Sequence, residues 1–286
     1  MSLLTTPLPS VDAYVEHFSH QPLPVLRHTA NALERHRAAQ DGVDARALAA
    51  LVLGDPMLTM ALLTHLEKHR SRVQNHDITT IDRAIMMMGL GPFFDAFGDQ
   101  TTLENQLAAH PHALVGALKV IGRARRAAHY ARDWAIARHD LDVEEITVAA
   151  LLREAAEIVC WAFAPTLTAQ VYALQQRDRS LRSTAAQRAV FGVTADELQH
   201  ALIHAWKLPG LLIELLDDTR GAHPRVRTIA LATTFTRHVA RGWDDPALPD
   251  DLAALAALLP LKREQLLERL GAPVEAWSRL LPEAAR

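Results

Sequence analysis

The apolar residues of this 286-residue chain recur at the spacing of amphipathic helices along almost its whole length. In the stretch DARALAALVL (44–53), Leu48, Leu51 and Val52 fall at positions i, i+3 and i+4, which places them on one helix face. Alternating apolar and polar stretches rich in Val, Thr and Tyr, which would predict strands and hairpins, are essentially absent. The pattern therefore predicts an all-α protein.

Residues that favour helix ends stand beside these apolar stretches. Asp55 can cap the amino end of a helix that begins at Pro56, where the missing N–H of proline costs no hydrogen bond. Thr194 and Glu197 have the spacing of a capping box, and Gly89 can take the conformation that closes a helix. These signals predict several helices of ordinary length joined by short turns.

Proline-bearing polar stretches divide the chain into parts. AAHPHALVGAL (108–118) has the character of a junction between two groups of helices, and RGAHPRVR (220–227) precedes a final helical segment. We expect four parts: an amino-terminal extension at 1–19, a helical subdomain at 20–110, a second helical subdomain at 111–219 and a carboxy-terminal helical segment at 220–286.

Composition places the chain among ordinary globular proteins, with 49% hydrophobic and 22% charged residues. The formal net charge of −3 predicts no general attraction to nucleic acid or to an anionic membrane. The amino terminus lacks the basic and apolar parts of a signal peptide, and the apolar run at 252–261 is too short to span a bilayer. We therefore expect a cytoplasmic protein that binds neither nucleic acid nor a membrane.

Nucleophilic or thiol-based metal chemistry finds little support in the sequence. The single cysteine, Cys160, excludes an internal disulfide framework and a cysteine-based zinc site. It stands in the apolar stretch EIVCWAF, where a thiol is expected to be inert. His200 and His204 are four residues apart and could chelate zinc, but no glutamate stands between them as in a metalloprotease motif.

Two basic clusters invite a nucleic-acid interpretation. One is GRARR (122–126), and the other comprises arginines of the carboxy-terminal segment between 220 and 241, among them Arg237. Neither cluster alternates with aromatic residues, which make up only 5% of the chain, and no recognition-helix motif is present. Solvated helix faces explain both clusters better than a nucleic-acid interface.

An aromatic cluster leaves two interpretations open. Phe93, Phe94 and Phe97 lie beside glycines in GPFFDAFGDQ (91–100). They predict either a buried helix junction or an exposed apolar anchor for a partner protein.

Four stretches in a fixed order resemble one known family. They are QPLPVLRHTANAL (21–33), LVLGDPMLTMALL (51–63), DITTIDRAIMMMGLGPF (77–93) and DELQHALIHAWKLPGLLIELL (196–216). Together they span about residues 20–220 and are similar to the HDOD family, the HD-related output domain of bacterial signalling proteins. The resemblance implies an amino-terminal helical subdomain packed on HD-like helices, followed by carboxy-terminal helices.

The resemblance also implies descent from HD-type metal phosphohydrolases, in which histidines and aspartates hold divalent ions that activate water. Where a fully equipped relative would read Leu-Leu-His-Asp-Ile-Gly-Lys, this chain has Arg153 for the histidine, Glu154 for the aspartate and Glu157 for the lysine. Arg123 aligns best with the first metal-binding histidine, although a shift of one turn is possible. Because arginine only donates hydrogen bonds, we expect no metal, no cofactor and no catalytic residue here.

Three arrangements of these side chains remain open. If 149–159 is one helix, Arg153 and Glu157 can form an i, i+4 ion pair on its surface. Alternatively, Arg123 and Arg153 replace the positive charge of the metal and fix Glu154, or they bind a phosphorylated small molecule by forked hydrogen bonds.

The sequence as a whole predicts a non-catalytic bacterial signal-transduction protein, a helical scaffold that contacts another signalling protein. A second hypothesis is a phosphorylated-ligand sensor that uses Arg123 and Arg153. A third is a metal-dependent phosphohydrolase of nucleotides, with ligands from unexpected positions: Glu154, His129, His200 and His204.

Overall fold

The computed structural model describes residues 3–39, 44–69, 80–178 and 180–280. Within these ranges the chain forms helices joined by short turns, and the only β-type pairing is one isolated parallel bridge between Val25 and Thr102. The predicted all-α class is confirmed.

The helices fall into three groups along the chain. The first group is α1 Val11–Ser19, α2 Arg27–Ala38, α3 Ala45–Leu53, α4 Pro56–Lys68, α5 Ile81–Met88, α6 Leu90–Phe97 and α7 Leu103–Gln106. The second is α8 Pro111–Ala137, α9 Val143–Leu152, α10 Ala155–Phe163, α11 Pro165–Arg177, α12 Ser183–Phe191, α13 Ala195–Ala205 and α14 Gly210–Leu215. After a 3-10 turn at Asp218–Arg220, the last is α15 Pro224–Val239, α16 Leu248–Leu258, α17 Arg263–Leu270 and α18 Val274–Leu280.

The 27-residue helix α8 is the longest described helix and packs against several of the others. Its buried face is rich in alanine and contacts α9, α10 and α15. Gly116 allows α10 to pack close to α8, because a Cβ atom at this position would lie 2.6 Å from the ring of Trp161 on α10. Small residues on α8 therefore bring the helices that carry the candidate site close to its axis.

The predicted caps at Asp55 and Thr194 are present, whereas Gly89 ends α5 with φ 80° and ψ 153°, outside the left-handed helical region expected of it. The buried carboxylate of Asp55 accepts hydrogen bonds from the backbone N–H groups of Met57 and Leu58 at the start of α4. It also accepts the N–H of Leu26 at 2.8 Å, which ties the entry of α2 to the same residue. Thr194 and Glu197 form the predicted capping box of α13.

Both ends of the chain pack on the central helices. The hydroxyl of Tyr14 on α1 donates to the carbonyl of Phe191 at 3.0 Å. The hydroxyl of Tyr130 on α8 donates to the carbonyl of Leu270 at 3.0 Å. One buried hydrophobic core runs through all four parts expected from the sequence.

The phenylalanine cluster lies inside the protein. Phe93, Phe94 and Phe97 are 0%, 9% and 5% exposed, and the rings of Phe93 and Phe97 have centroids 5.2 Å apart. The hypothesis of an exposed apolar anchor is therefore wrong for these residues, because α6 turns its aromatic face toward the core. The alternative, a buried helix junction, is what the structure contains.

In the described part of the chain, no single helix has the length and apolarity that crossing a membrane requires. One pair of consecutive helices, α3 with α4, meets the requirement only when taken together, and the two are bent by 113°.

Candidate functional site

The stretch 149–159 is two helices rather than the single helix that its periodicity predicts. Helix α9 ends at Leu152 and α10 begins at Ala155, so Arg153 and Glu154 form the turn between them. The turn directs the two side chains differently from a continuous helix, in which an i, i+4 pair of Arg153 and Glu157 would form.

Gln199 on α13 holds this turn in place. Its side-chain nitrogen donates to the carbonyl of Leu152 at 2.9 Å, and its side-chain oxygen accepts the N–H of Ala156 at 2.8 Å. One amide thus satisfies a carbonyl at the end of α9 and an N–H at the start of α10, groups that helix ends leave without partners. Gln199 was not predicted from the sequence, because nothing in its local pattern relates it to a turn more than forty residues away.

Glu154 and Arg123 form the centre of the site. The side chain of Glu154 is fully buried, and Arg123 on α8 faces it with two nitrogens. Nε of Arg123 donates to Oε2 of Glu154 at 2.9 Å and to Oε1 at 3.1 Å, and a terminal nitrogen donates to Oε1 at 2.8 Å. Such a forked arrangement is the strong form of an arginine–carboxylate interaction.

A second arginine reaches the same carboxylate from the carboxy-terminal segment. Nε of Arg237 on α15 donates to Oε1 of Glu154 at 2.7 Å. Its side chain is 47% exposed, so it covers the site from the solvent side. The sequence predicted Arg237 to lie in a solvated basic cluster, and no local signal connects it to Glu154.

Arg153 and Glu157 do not pair with each other. Glu157 accepts a hydrogen bond from Arg123 at 2.9 Å, whereas Arg153 pairs with Asp218 in the 3-10 turn. The predicted ion pair between Arg153 and Glu157 is therefore wrong, because the turn at 153–154 separates the two side chains. Of the two arginines expected to fix Glu154, only Arg123 does so, and Arg237 takes the place expected for Arg153.

The charges of this network balance, with two arginines and two glutamates. Burial acts to lower the pKa of Arg123, but the carboxylates of Glu157 and Glu154 outweigh it and raise that pKa. The pKa of Arg237 is raised in the same way, with Glu154 as the main opponent of burial. Burial raises the pKa of Glu157, while Arg123 opposes the shift. Both guanidinium groups consequently stay charged and hold the two carboxylates in place.

The residues of this site do not fit a divalent cation. The lone pairs of Glu154 point at guanidinium groups, and arginine offers no lone pair to a metal. Among the described residues, no group of three or more His, Cys, Asp or Glu side chains is arranged to hold a metal ion. The four residues suggested as metal ligands for a phosphohydrolase do not form a common site. His129, His200 and His204 are exposed, whereas Glu154 is buried.

Cys160 lies close to the site, on α10, but is buried. Burial raises the pKa of its thiol, and the nearby Glu157 adds to the shift. A thiol in this environment remains protonated and is a poor nucleophile, as its apolar sequence context predicts.

Solved structures with the same fold include two of nearly the same extent. The MmoQ response regulator of Methylococcus capsulatus str. Bath is similar with a TM-score of 0.68 and 19% sequence identity, over 89% of this chain and 99% of that one. A virulence factor of Campylobacter jejuni subsp. jejuni has a TM-score of 0.65 and 19% identity, over 96% of this chain and 98% of that one. At this identity the likeness establishes the fold.

No curated protein sequence matches the chain. The family model of the HDOD domain matches residues 23–220, which is more than half of the 286 residues. The four ordered sequence stretches lie within or at the edge of this range, so the resemblance seen in them is confirmed. The chain belongs to the HDOD domain family.

Proposed function

We propose that this protein is a non-catalytic bacterial signal-transduction protein that acts in the cytoplasm as a helical scaffold for a partner protein. In this proposal the pocket that holds metal ions in HD-type phosphohydrolases has become structural. Membership of the HDOD family supports a role in signalling, as does the name of the MmoQ response regulator, whose fold is shared. Fold alone does not carry a function, so the proposal rests on the site.

The observation that carries the proposal is the double arginine contact to Glu154. Arg123 and Arg237 together supply the positive charge that a carboxylate in this position requires. A metal ion would have to expel both guanidinium groups and would then find one carboxylate and no histidine at the expected positions. Hydrolysis through metal-activated water therefore lacks a ligand set within the described ranges of the chain.

The arrangement also favours a scaffold over a sensor of phosphorylated ligands. Arg123 directs its donors to Glu154 and Glu157, and Arg153 is engaged by Asp218. A phosphate would have to compete with carboxylates that are already in contact, at the cost of leaving them unpaired in a buried site. No pair of uncommitted arginines faces the site among the residues that the structure describes.

Hydrolysis and ligand-stabilisation assays test the proposal. Purified protein supplied with Mn²⁺, Fe²⁺ or Mg²⁺ is assayed against bis(p-nitrophenyl) phosphate and a panel of nucleotides, beside a catalytically competent HD phosphohydrolase. We expect turnover at the buffer level and no nucleotide-dependent change in the melting temperature. Metal-dependent turnover that Glu154→Gln abolishes would establish the enzyme instead. Stabilisation by a nucleotide without turnover would establish the sensor.

A further inference from the structure

The long helix α8 has a second face that the described part of the chain leaves exposed. Its alanine-rich face is buried, whereas the opposite face is exposed along the whole helix. We name the exposed line of residues the outer seam of α8. Its members are spaced alternately by three and four residues: Val115, Leu118, Gly122, Arg125, His129, Arg132 and Ile136.

This spacing is that of the contact line between two packed helices. Alternating steps of three and four place side chains along one stripe, which is how a and d positions face a partner in a coiled coil. At a rise of about 1.5 Å per residue, the outer seam is about 30 Å long, enough to accommodate a partner helix of some twenty residues.

The chemistry of the outer seam changes along its length. Val115 and Leu118 at one end are 52% and 41% exposed, and Ile136 at the other end is 49% exposed. The middle is basic, with Arg125 and His129. The seam is thus apolar at both ends and positively charged between them.

Among the residues that the structure describes, no carboxylate pairs with the basic residues in the middle of the seam. Two further basic residues, Lys119 and Arg126, are exposed beside the seam, on the same side of α8. Within the described part of the chain, Arg125, Arg126 and His129 make no hydrogen bond or ion pair with a carboxylate. The next seam residue, Arg132, lies near Glu144 of α9 without hydrogen bonding to it. Unpaired charges on a protein of net charge −3 form a local field that selects an acidic partner.

Gly122 is the position of the seam at which a partner helix could come closest to the axis of α8. It lies between the apolar and the basic part of the seam, and a Cβ atom placed on it would have no neighbour within 4 Å. Its conformation is helical and needs no glycine, so the missing side chain serves packing rather than the backbone. A helix that crosses α8 here can bring its own backbone close.

We propose that the outer seam of α8 docks an amphipathic helix of a partner protein, with acidic residues at its centre and apolar residues toward both ends. This inference rests on the proposed function, because it assigns the surface through which the scaffold contacts its partner. Docking of a helix by apolar anchors with complementary charges is an established mode of recognition.

The charges argue against the other occupants. A second copy of this chain, docked antiparallel on the same seam, would set basic residues against basic residues. Nucleic acid would leave the apolar ends unused, and the seam contains no Phe, Tyr or Trp for base stacking. A membrane surface would require a continuous apolar face, whereas here basic residues separate the apolar ends.

The test uses the full-length protein and two fluorescein-labelled helical peptides of 25 residues. One peptide has Leu at the outer contact positions and Glu at the central ones, and the other has Lys in place of each Glu. Anisotropy is measured with the wild type, with Arg125→Glu/Arg126→Glu, and with the matched control Arg177→Glu/Arg182→Glu, which reverses two exposed charges elsewhere.

We expect the Glu peptide to bind the wild type and the control alike and the seam variant about tenfold more weakly, with a smaller difference at high salt. Gly122→Leu is a second variant, expected to fold normally and to weaken binding of the Glu peptide, because its side chain fills the space that a partner helix would occupy.

The proposal is overturned if the Lys peptide binds as well as the Glu peptide, if the Glu peptide does not bind, or if the seam and control variants weaken binding of the Glu peptide equally. It is also overturned if a single-stranded oligonucleotide or phosphatidylserine vesicles displace the Glu peptide. The metal and hydrolysis assays do not involve the seam. They can therefore contradict the proposed function independently of the outcome of the peptide-binding experiment.

Discussion

The guanidinium of Arg237 donates to the buried carboxylate of Glu154 at 2.7 Å, although 83 residues separate the two in sequence. Arg237 lies outside residues 23–220, the range matched by the family model. The carboxy-terminal segment therefore completes a site whose other members, Arg123 and Glu157, belong to the family's own helices. Its role is to neutralise the site and to fix α15 against the central helices.

The buried carboxylate of Glu154 should contribute strongly to the stability of the folded protein. Glu154→Gln leaves the two guanidinium groups of Arg123 and Arg237 with Glu157 as the one remaining carboxylate of the network, so the free energy of unfolding should fall by about 3 kcal/mol. The expected cost lies at the lower end for a broken buried pair because Arg237 is half-exposed. Urea unfolding at neutral pH measures it. The control Glu214→Gln, which breaks an exposed pair with Arg220, should cost about 0.5 kcal/mol or less. Equal costs for both variants would show that the network carries no special stability.

A pair of glycines on one helix tests the packing of α8. Gly116→Ala would place a Cβ atom 2.6 Å from the ring of Trp161 and should destabilise the protein by about 1–3 kcal/mol. Gly122→Ala on the same helix meets no atom within 4 Å and should stabilise it by about 0.5–1 kcal/mol. Thermal unfolding of both variants gives the two signs, and the same sign for both would refute the packing argument.

The turn between α9 and α10 should depend on Gln199. Gln199→Ala removes partners from the carbonyl of Leu152 and the N–H of Ala156, which should cost about 1–3 kcal/mol. Gln175→Ala is the matched control, since Gln175 makes an exposed hydrogen bond to Ser183. Chemical denaturation measures both. If the two variants lose the same stability, the hydrogen bonds of Gln199 make no special contribution to the turn.

Cys160 should be unreactive in the folded protein. Its thiol is buried, and burial raises its pKa, so little thiolate forms at pH 8. Ellman's reagent should modify Cys160 only after unfolding in guanidinium chloride. Prompt stoichiometric reaction with the native protein would mean that α10 opens readily.

The capping box of α13 predicts a specific pH dependence. The N–H of Thr194 and the guanidinium of Arg188 hold the pKa of Glu197 below its ordinary value of 4.5. Because the folded pKa is lower than the unfolded one, the contribution of Glu197 to stability is present above pH 4.5 and is lost as the pH falls through the folded value. Wild type should therefore exceed Glu197→Ala in stability at pH 7, and the difference should shrink in acid. Unfolding curves that keep a constant separation from pH 7 to pH 3 would contradict this assignment.

Local parts of this structure follow from local sequence signals, and the site follows only in part. The helix starts at Pro56 and after Thr194 were predictable because a cap and its helix are neighbours in the chain. The resemblance placed Arg123 and Glu154 in one pocket, and the structure brings them together. Arg237 and Gln199 were not predictable, since their contacts depend on how distant helices pack and leave no periodic signal.

The helix break at Arg153 was not predictable from the sequence either, for a different reason. The apolar periodicity continues through 149–159, and no proline or glycine marks the break between α9 and α10. The break is stabilised by the hydrogen bonds of Gln199 on α13 and by the ion pairs of Glu154 with Arg123 and Arg237. Tertiary contacts of this kind override a helical pattern in the sequence.

The most direct test of the account is the metal content of untagged, chelator-free protein, determined by inductively coupled plasma mass spectrometry. We predict no stoichiometric iron, manganese or zinc, because arginines occupy the positions around Glu154 that ligands would need. A content close to one metal ion per chain, lost in Glu154→Gln, would contradict it.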